Sequence, residues 1–180
     1  MASTWGQVDD LGTFQQINDM IAGSAFTCPA DCTSVTSMGF YVNYLDAGTW
    51  PCKCAIYTTA GVLVGNSDVV DVTSTGAKTV TCSTPIAVTP STSYILVAWT
   101  DTIGVDKYFA ISRDNTTANA RRSVGSAYNG FPANLNLGTN TGICCVSAIY
   151  TPTATGQPTI RRFGSCKDST QYKRRGVRCF

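Results

Sequence analysis

Along most of this chain apolar and polar residues alternate with a period of two. In residues 34–44, Met38, Phe40, Val42 and Tyr44 fall on one face, while Ser37, Gly39 and Asn43 fall on the other. That pattern predicts a strand with one side buried. Residues 52–58 repeat it, with Cys52, Cys54 and Ile56 sharing a face. Shorter strands are predicted at 62–64 and 68–73, around the turn pair Gly65-Asn66, and at 78–83, where Val80 and Cys82 point together. Residues 93–100 are apolar almost throughout, which fits a central strand covered on both faces. Strands at 21–27, 108–112 and 143–150 complete the set, and a short helix is expected at 15–20.

Eight or nine short strands separated by Gly, Pro, Asn and Asp predict an all-β fold, an antiparallel β-sandwich or jelly roll. In such a fold two sheets bury their apolar faces against each other. The organisation expected is an N-terminal segment, 1–19, a sandwich domain, 20–152, and a basic C-terminal arm, 153–180. Residues 113–142 read as a long loop, and loops of that length inside a compact domain usually serve binding or assembly.

Composition narrows the chemistry. The chain has no His, and all eleven of its acidic residues are Asp. Without imidazole there is no Ser-His-Asp or Cys-His nucleophile and no His metal ligand, so an enzyme is not expected. The net charge of +2 hides an asymmetry. Residues 1–160 carry six basic side chains against ten Asp, whereas residues 161–180 carry seven against one. The start of the chain lacks a basic stretch leading into an apolar one, so synthesis in a cytoplasm is expected. The apolar run Tyr94–Trp99 is too short to span a membrane, so no membrane partner is expected. An acidic body would repel phosphates, so nucleic acid is not expected either.

Nine cysteines are present, with no zinc-like spacing among them, so no metal or other cofactor is expected. Those in apolar runs read as small core residues. Cys28 with Cys32, and Cys166 with Cys179, are spaced for possible disulfides. The acidic pairs Asp9/Asp10, Asp68/Asp71 and Asp101/Asp106 lie in polar, turn-like stretches. They read as solvated acids, and 101–106 as an ordinary turn more than a calcium loop. Trp50, Tyr128 and Phe131, like Trp5, sit near turn residues and are candidate glycan contacts, while Trp99 reads as core. In the basic arm Arg161, Arg162, Phe163, Tyr172, Lys173, Arg174, Arg175, Arg178 and Phe180 mix cations with apolar anchors, as a docking segment does.

The order Gly23-Ser24-Ala25-Phe26-Thr27, Val35-Thr36-Ser37-Met38-Gly39-Phe40-Tyr41-Val42, Cys54-Ala55-Ile56-Tyr57, Pro85-Ile86-Ala87-Val88, Tyr94-Ile95-Leu96-Val97-Ala98 and Tyr150-Thr151-Pro152 resembles the jelly-roll β-sandwich domains of tailed-phage structural proteins and related surface modules. The resemblance implies a non-enzymatic virion protein, and the expectation is a capsid decoration (cement) protein that stabilises a phage head. It would assemble in the host cytoplasm as a symmetric homo-oligomer, a trimer by preference, and its arm would grip the major capsid protein or another virion subunit. The alternative is a head or tail fibre, or a secreted carbohydrate-binding module, with a host glycan as partner.

Overall fold

The computed structural model describes residues 1–153, apart from 102, 105, 117–119, 126–129 and 136–137. The described residues form strands and no helix: β1 (Ser3–Gly6), β2 (Thr13–Gln16), β3 (Met20–Thr27), β4 (Ser34–Leu45), β5 (Trp50–Thr58), β6 (Leu63–Asn66), β7 (Val70–Val72), β8 (Gly76–Ala87), β9 (Ser93–Thr100), β10 (Phe109–Asp114), β11 (Ala120–Gly125), β12 (Gly138–Thr141), β13 (Ile143–Cys144) and β14 (Val146–Tyr150). They make two antiparallel seven-stranded sheets. The first contains β1, β14, β4, β10 and β13, with β2 on β10 and β8 on β4. The second runs β12-β11-β3-β9-β5-β6, with β7 on β5. The chain is an all-β antiparallel sandwich, as its period-two pattern predicts.

The faces that meet in the sandwich hold the alternating residues expected there. Met38, Phe40 and Val42 of β4, Val80 and Cys82 of β8, and Phe109 and Ile111 of β10 pack with Cys52, Cys54 and Ile56 of β5 and with Leu96 and Ala98 of β9. All the cysteines among the described residues are buried free thiols. They act as small apolar fillers between larger side chains.

Two sequence expectations are corrected. Residues 15–20 are not helical, because β2 pairs with the edge of β10, and Ile17 drops into the core just beyond it. Pairing with a ready strand edge overrides a weak local preference. The segment 113–142 is not one irregular loop, since β11 pairs with β3 and β12 pairs with β11. The N-terminal segment 1–19 contributes β1 and β2 to the first sheet.

A second apolar cluster lies on the outer face of the second sheet. Ile21, Ala55, Tyr57, Ile95, Val97 and Trp99 are buried there with Leu135, and Leu63 and Phe131 pack against them. The strap 131–135 covers them and is pinned by backbone. Leu63 N donates to Ala133 O at 2.9 Å, Leu135 N to Gly61 O at 2.8 Å, and Tyr57 Oη to Pro132 O at 2.9 Å. Gly61 permits this approach: its φ is +85°, and a Cβ there would meet Leu135 O at 2.1 Å.

Where the chain leaves the sandwich, Asp31 holds it. Tyr150 Oη donates to Asp31 Oδ1 at 2.9 Å, and Thr153 donates to Asp31 O through both N (2.9 Å) and Oγ1 (2.7 Å).

Candidate functional site

The outer face of the first sheet carries large apolar side chains that no described segment covers. On β10, Ala110 pairs with Tyr44 of β4 on one side and with Gln16 of β2 on the other. Directly paired residues share a face, so these form one row across three strands. Phe14, two residues before Gln16, joins that face. Phe14, Gln16, Asn43, Tyr44, Tyr108 and Ala110 together line an open depression of about 360 Å³. The small Ala110 is its low point. Phe14, Tyr44 and Tyr108 remain 62%, 48% and 47% exposed, so each keeps a broad ring surface in water.

A β-bulge puts Tyr44 there. Ile111 pairs with Val42 and Ala110 with Tyr44, which leaves Asn43 as the extra residue. Val42 is buried, and Leu45 packs against the core on the far side of the bulge. Asn43 and Tyr44 therefore both leave the buried face, as an inserted residue shifts the alternation by one. Simple alternation places Tyr44 with Met38, Phe40 and Val42, and the structure corrects that placement.

Asp46 fixes the aromatic rim. Tyr44 Oη donates to Asp46 Oδ1 at 2.7 Å, and Tyr108 N donates to Asp46 Oδ2 at 2.7 Å. Trp50 Nε1 donates to the backbone carbonyl of Asp46 at 2.9 Å, which ties the clamp to the core. The hydrogen bond from Tyr44, followed by that from the Tyr108 backbone, holds the Asp46 carboxyl below its ordinary range. At the other margin Asp10 Oδ1 accepts from Ser112 Oγ (2.7 Å), Gly12 N (3.0 Å) and Asn43 Nδ2 (3.2 Å). The Ser112 bond is the largest cause of its lowered pKa. Two ionised carboxylates thus bracket the depression.

The residues singled out from sequence fall elsewhere. Trp50 is fully buried, its ring 5.4 Å from that of Phe109, so it cannot be a glycan contact; its indole braces Asp46 instead. Trp5 is likewise buried, against Tyr94. Phe131 belongs to the strap, with its ring 5.2 Å from that of Trp99 and 6.3 Å from that of Tyr57. Lys53 Nζ lies 4.9 Å from the Trp99 ring centre and 5.3 Å from that of Phe131. Burial lowers its pKa, against the opposing charge of Asp101. Trp99 is buried, as expected, but in the cluster under the strap.

Cys28 and Cys32 are both free thiols, so the pairing their spacing suggests is not made in this structure. Carbonyls take up their protons: Cys28 Sγ faces Pro29 O and Cys32 O at 3.6 Å, and Cys32 Sγ faces Ser34 O at 3.8 Å. Burial raises Cys32, Cys52, Cys144 and Cys145 to about 12 and Cys82 to about 11, which keeps these thiols protonated and weakly nucleophilic at neutral pH. Tyr128, Cys166, Cys179 and the docking residues Arg161, Arg162, Phe163, Tyr172, Lys173, Arg174, Arg175, Arg178 and Phe180 lie outside the described residues. Among the described residues, no group of three or more Cys or Asp could hold a metal ion.

Residues 14–141 match the family described as "Domain of unknown function (DUF4082)". The chain belongs to that family. Its matched segment takes in the second sheet, strands β4, β8 and β10 of the first, and the Phe14–Tyr44–Tyr108 depression. No curated protein matches the chain in sequence. Among solved structures it is similar to a clostridial cysteine protease, Cwp84, after propeptide cleavage. The TM-score is 0.59 at 12% identity, covering 84% of this chain and 40% of that one. The chain therefore spans less than half of that protein, and at this identity the likeness concerns the fold alone.

Proposed function

We propose that this chain is a non-catalytic glycan-binding module, displayed on the surface of a particle or a cell, that holds sugar rings in the depression of its first sheet. The observation that carries the reading is the exposure of Phe14, Tyr44 and Tyr108 around the small floor residue Ala110. A pyranose ring presents a face of C–H bonds that packs on an aromatic ring, while its hydroxyls need polar partners at the margin. Gln16 and Asn43 supply amides there. A depression of about 360 Å³ lies at the lower end of small-ligand sites, with room for a short stretch of a glycan.

The flanking carboxylates do not suit glycoside hydrolysis. A general acid needs a raised pKa, and Asp10 and Asp46 are both shifted down by the hydrogen bonds they accept. The lack of His and the protonated, buried thiols support the same non-catalytic reading.

The test is retardation of the protein in gels containing neutral polysaccharides. The wild type should be retarded by at least one of them. The Tyr44→Ala/Tyr108→Ala double variant, still folded by circular dichroism, should run freely. Equal retardation of the two proteins would refute the site.

A second proposal places the module on a phage particle, with the basic segment 161–180 docking to capsid. It is supported by the charge asymmetry of the sequence, seven cations against one Asp in that segment. Counting copies per major capsid subunit in purified particles tests it: hundreds per particle support decoration, a handful a fibre, and none overturns it.

A further inference from the structure

We infer that the Phe14–Tyr44–Tyr108 depression selects uncharged sugars and discriminates against acidic ones; this rests on the glycan-binding reading above. The argument is the character of the margin. None of the six residues that line the depression is a cation. Asp46 stands at one end and Asp10 at the other, each tied to a lining residue: Asp46 to Tyr44 and Tyr108, Asp10 to Asn43. Both are held ionised at neutral pH by the bonds they accept.

The cation beside the lining residue Tyr108 and the one within β10 are engaged with other groups. Lys107 Nζ donates to Ala47 O at 2.7 Å and offsets part of the Asp46 charge. Arg113 Nη1 donates to Gln15 Oε1 at 2.8 Å, and Arg113 Nε donates to Asn115 Oδ1. Recognition of a sugar carboxylate calls for a guanidinium fork or an ammonium aimed at it, and among the described residues this margin supplies neither.

The margin is instead rich in acceptors. Asn43 gives an amide proton to Asp10 and keeps its carbonyl oxygen to accept another. Sugar hydroxyls and the N–H of an acetamido group are donors and fit such a rim. A carboxylate, which only accepts, is met by like charge. The aromatic surfaces add a shape requirement, because a pyranose stacks on an aromatic ring only through a face of C–H bonds that no axial hydroxyl obstructs. The ligand class is therefore a neutral glycan whose pyranose rings offer an open C–H face.

The test is calorimetry of the full chain with a panel of neutral oligosaccharides, each paired with the uronic acid oligomer of the same length and linkage. At low salt the neutral member of a bound pair should bind about three- to fivefold more tightly, the scale of exposed charge pairs, and the gap should shrink as salt is added. Asp10→Asn should narrow it as well. Uronic oligomers that bind as tightly as their neutral partners, with binding lost in Tyr44→Ala, would overturn the charge selection and leave the groove standing. If no member of any pair binds, the glycan reading falls and takes this inference with it.

Discussion

The outer faces of the two sheets carry similar aromatic material and treat it in opposite ways. On the second sheet Tyr57 and Trp99 are fully buried beneath the strap 131–135, and Phe131 and Leu135 are pressed onto them. On the first sheet Phe14, Tyr44 and Tyr108 are left half in water. An apolar face that the chain covers adds to stability through the area it removes from water. One that the described residues leave bare, with Asp46 holding the Tyr44 hydroxyl and the Tyr108 backbone, adds little stability and remains available to a partner. The difference separates the part of the molecule that holds it together from the part proposed to bind.

Breaking the covered face should cost the most. Trp99→Ala should destabilise the fold by about 3–5 kcal/mol in urea denaturation, the range for a large buried aromatic. The fraction that remains folded should bind sugar with unchanged affinity. Gly61→Ala comes next, at about 2 kcal/mol, because the added Cβ strains a φ of +85° and strikes the strap at Leu135 O. Tryptophan emission should shift to the red as Trp99 becomes wetter.

On the open face the order reverses, with large effects on binding and small ones on stability. Tyr108→Ala removes a half-exposed ring from the depression and should weaken sugar binding at least tenfold, with stability within about 0.5 kcal/mol of the wild type. Asp46→Asn keeps the shape but weakens the clamp, so a loss of only a few-fold is expected. The pH dependence follows from the same bonds. The folded-state pKa of Asp46 lies below its ordinary value of 3.8, so its contribution is complete above that value and is lost as pH falls through the depressed one. Affinity should be flat from neutral pH down to about 4 and decline only below it. A decline centred near pH 6 would mean that some other group controls the rim.

The sandwich was legible because burial on one face writes period two into a strand, and the run 93–100 is β9 residue for residue. Strand pairing at 120–125 and 138–141 was not legible, since segments rich in Asn, Ala and Gly show no alternation to read. The binding face was hidden for a specific reason. Tyr44 follows the same alternation as Met38, Phe40 and Val42, and only the extra residue at Asn43, set by pairing with β10, turns it outward. Trp50 misled in the opposite direction, because its neighbours are turn residues while its ring packs on Phe109, which is distant in sequence. For Phe14 and Tyr108 a faint signal exists, as Phe14 is a lone aromatic among polar residues and Tyr108 stands just before the apolar start of β10. Sequence does not reveal that β2 and β10 lie side by side.

The most direct test of the glycan site is an amide chemical-shift titration of the labelled protein with a neutral oligosaccharide that it binds. Shifts should concentrate at residues 14–16, 43–46 and 108–110, while Ala55, Tyr57, Val97, Trp99 and the strap stay still. Shifts centred on the strap and the second sheet, with the Phe14–Tyr44–Tyr108 face unmoved, would contradict the account.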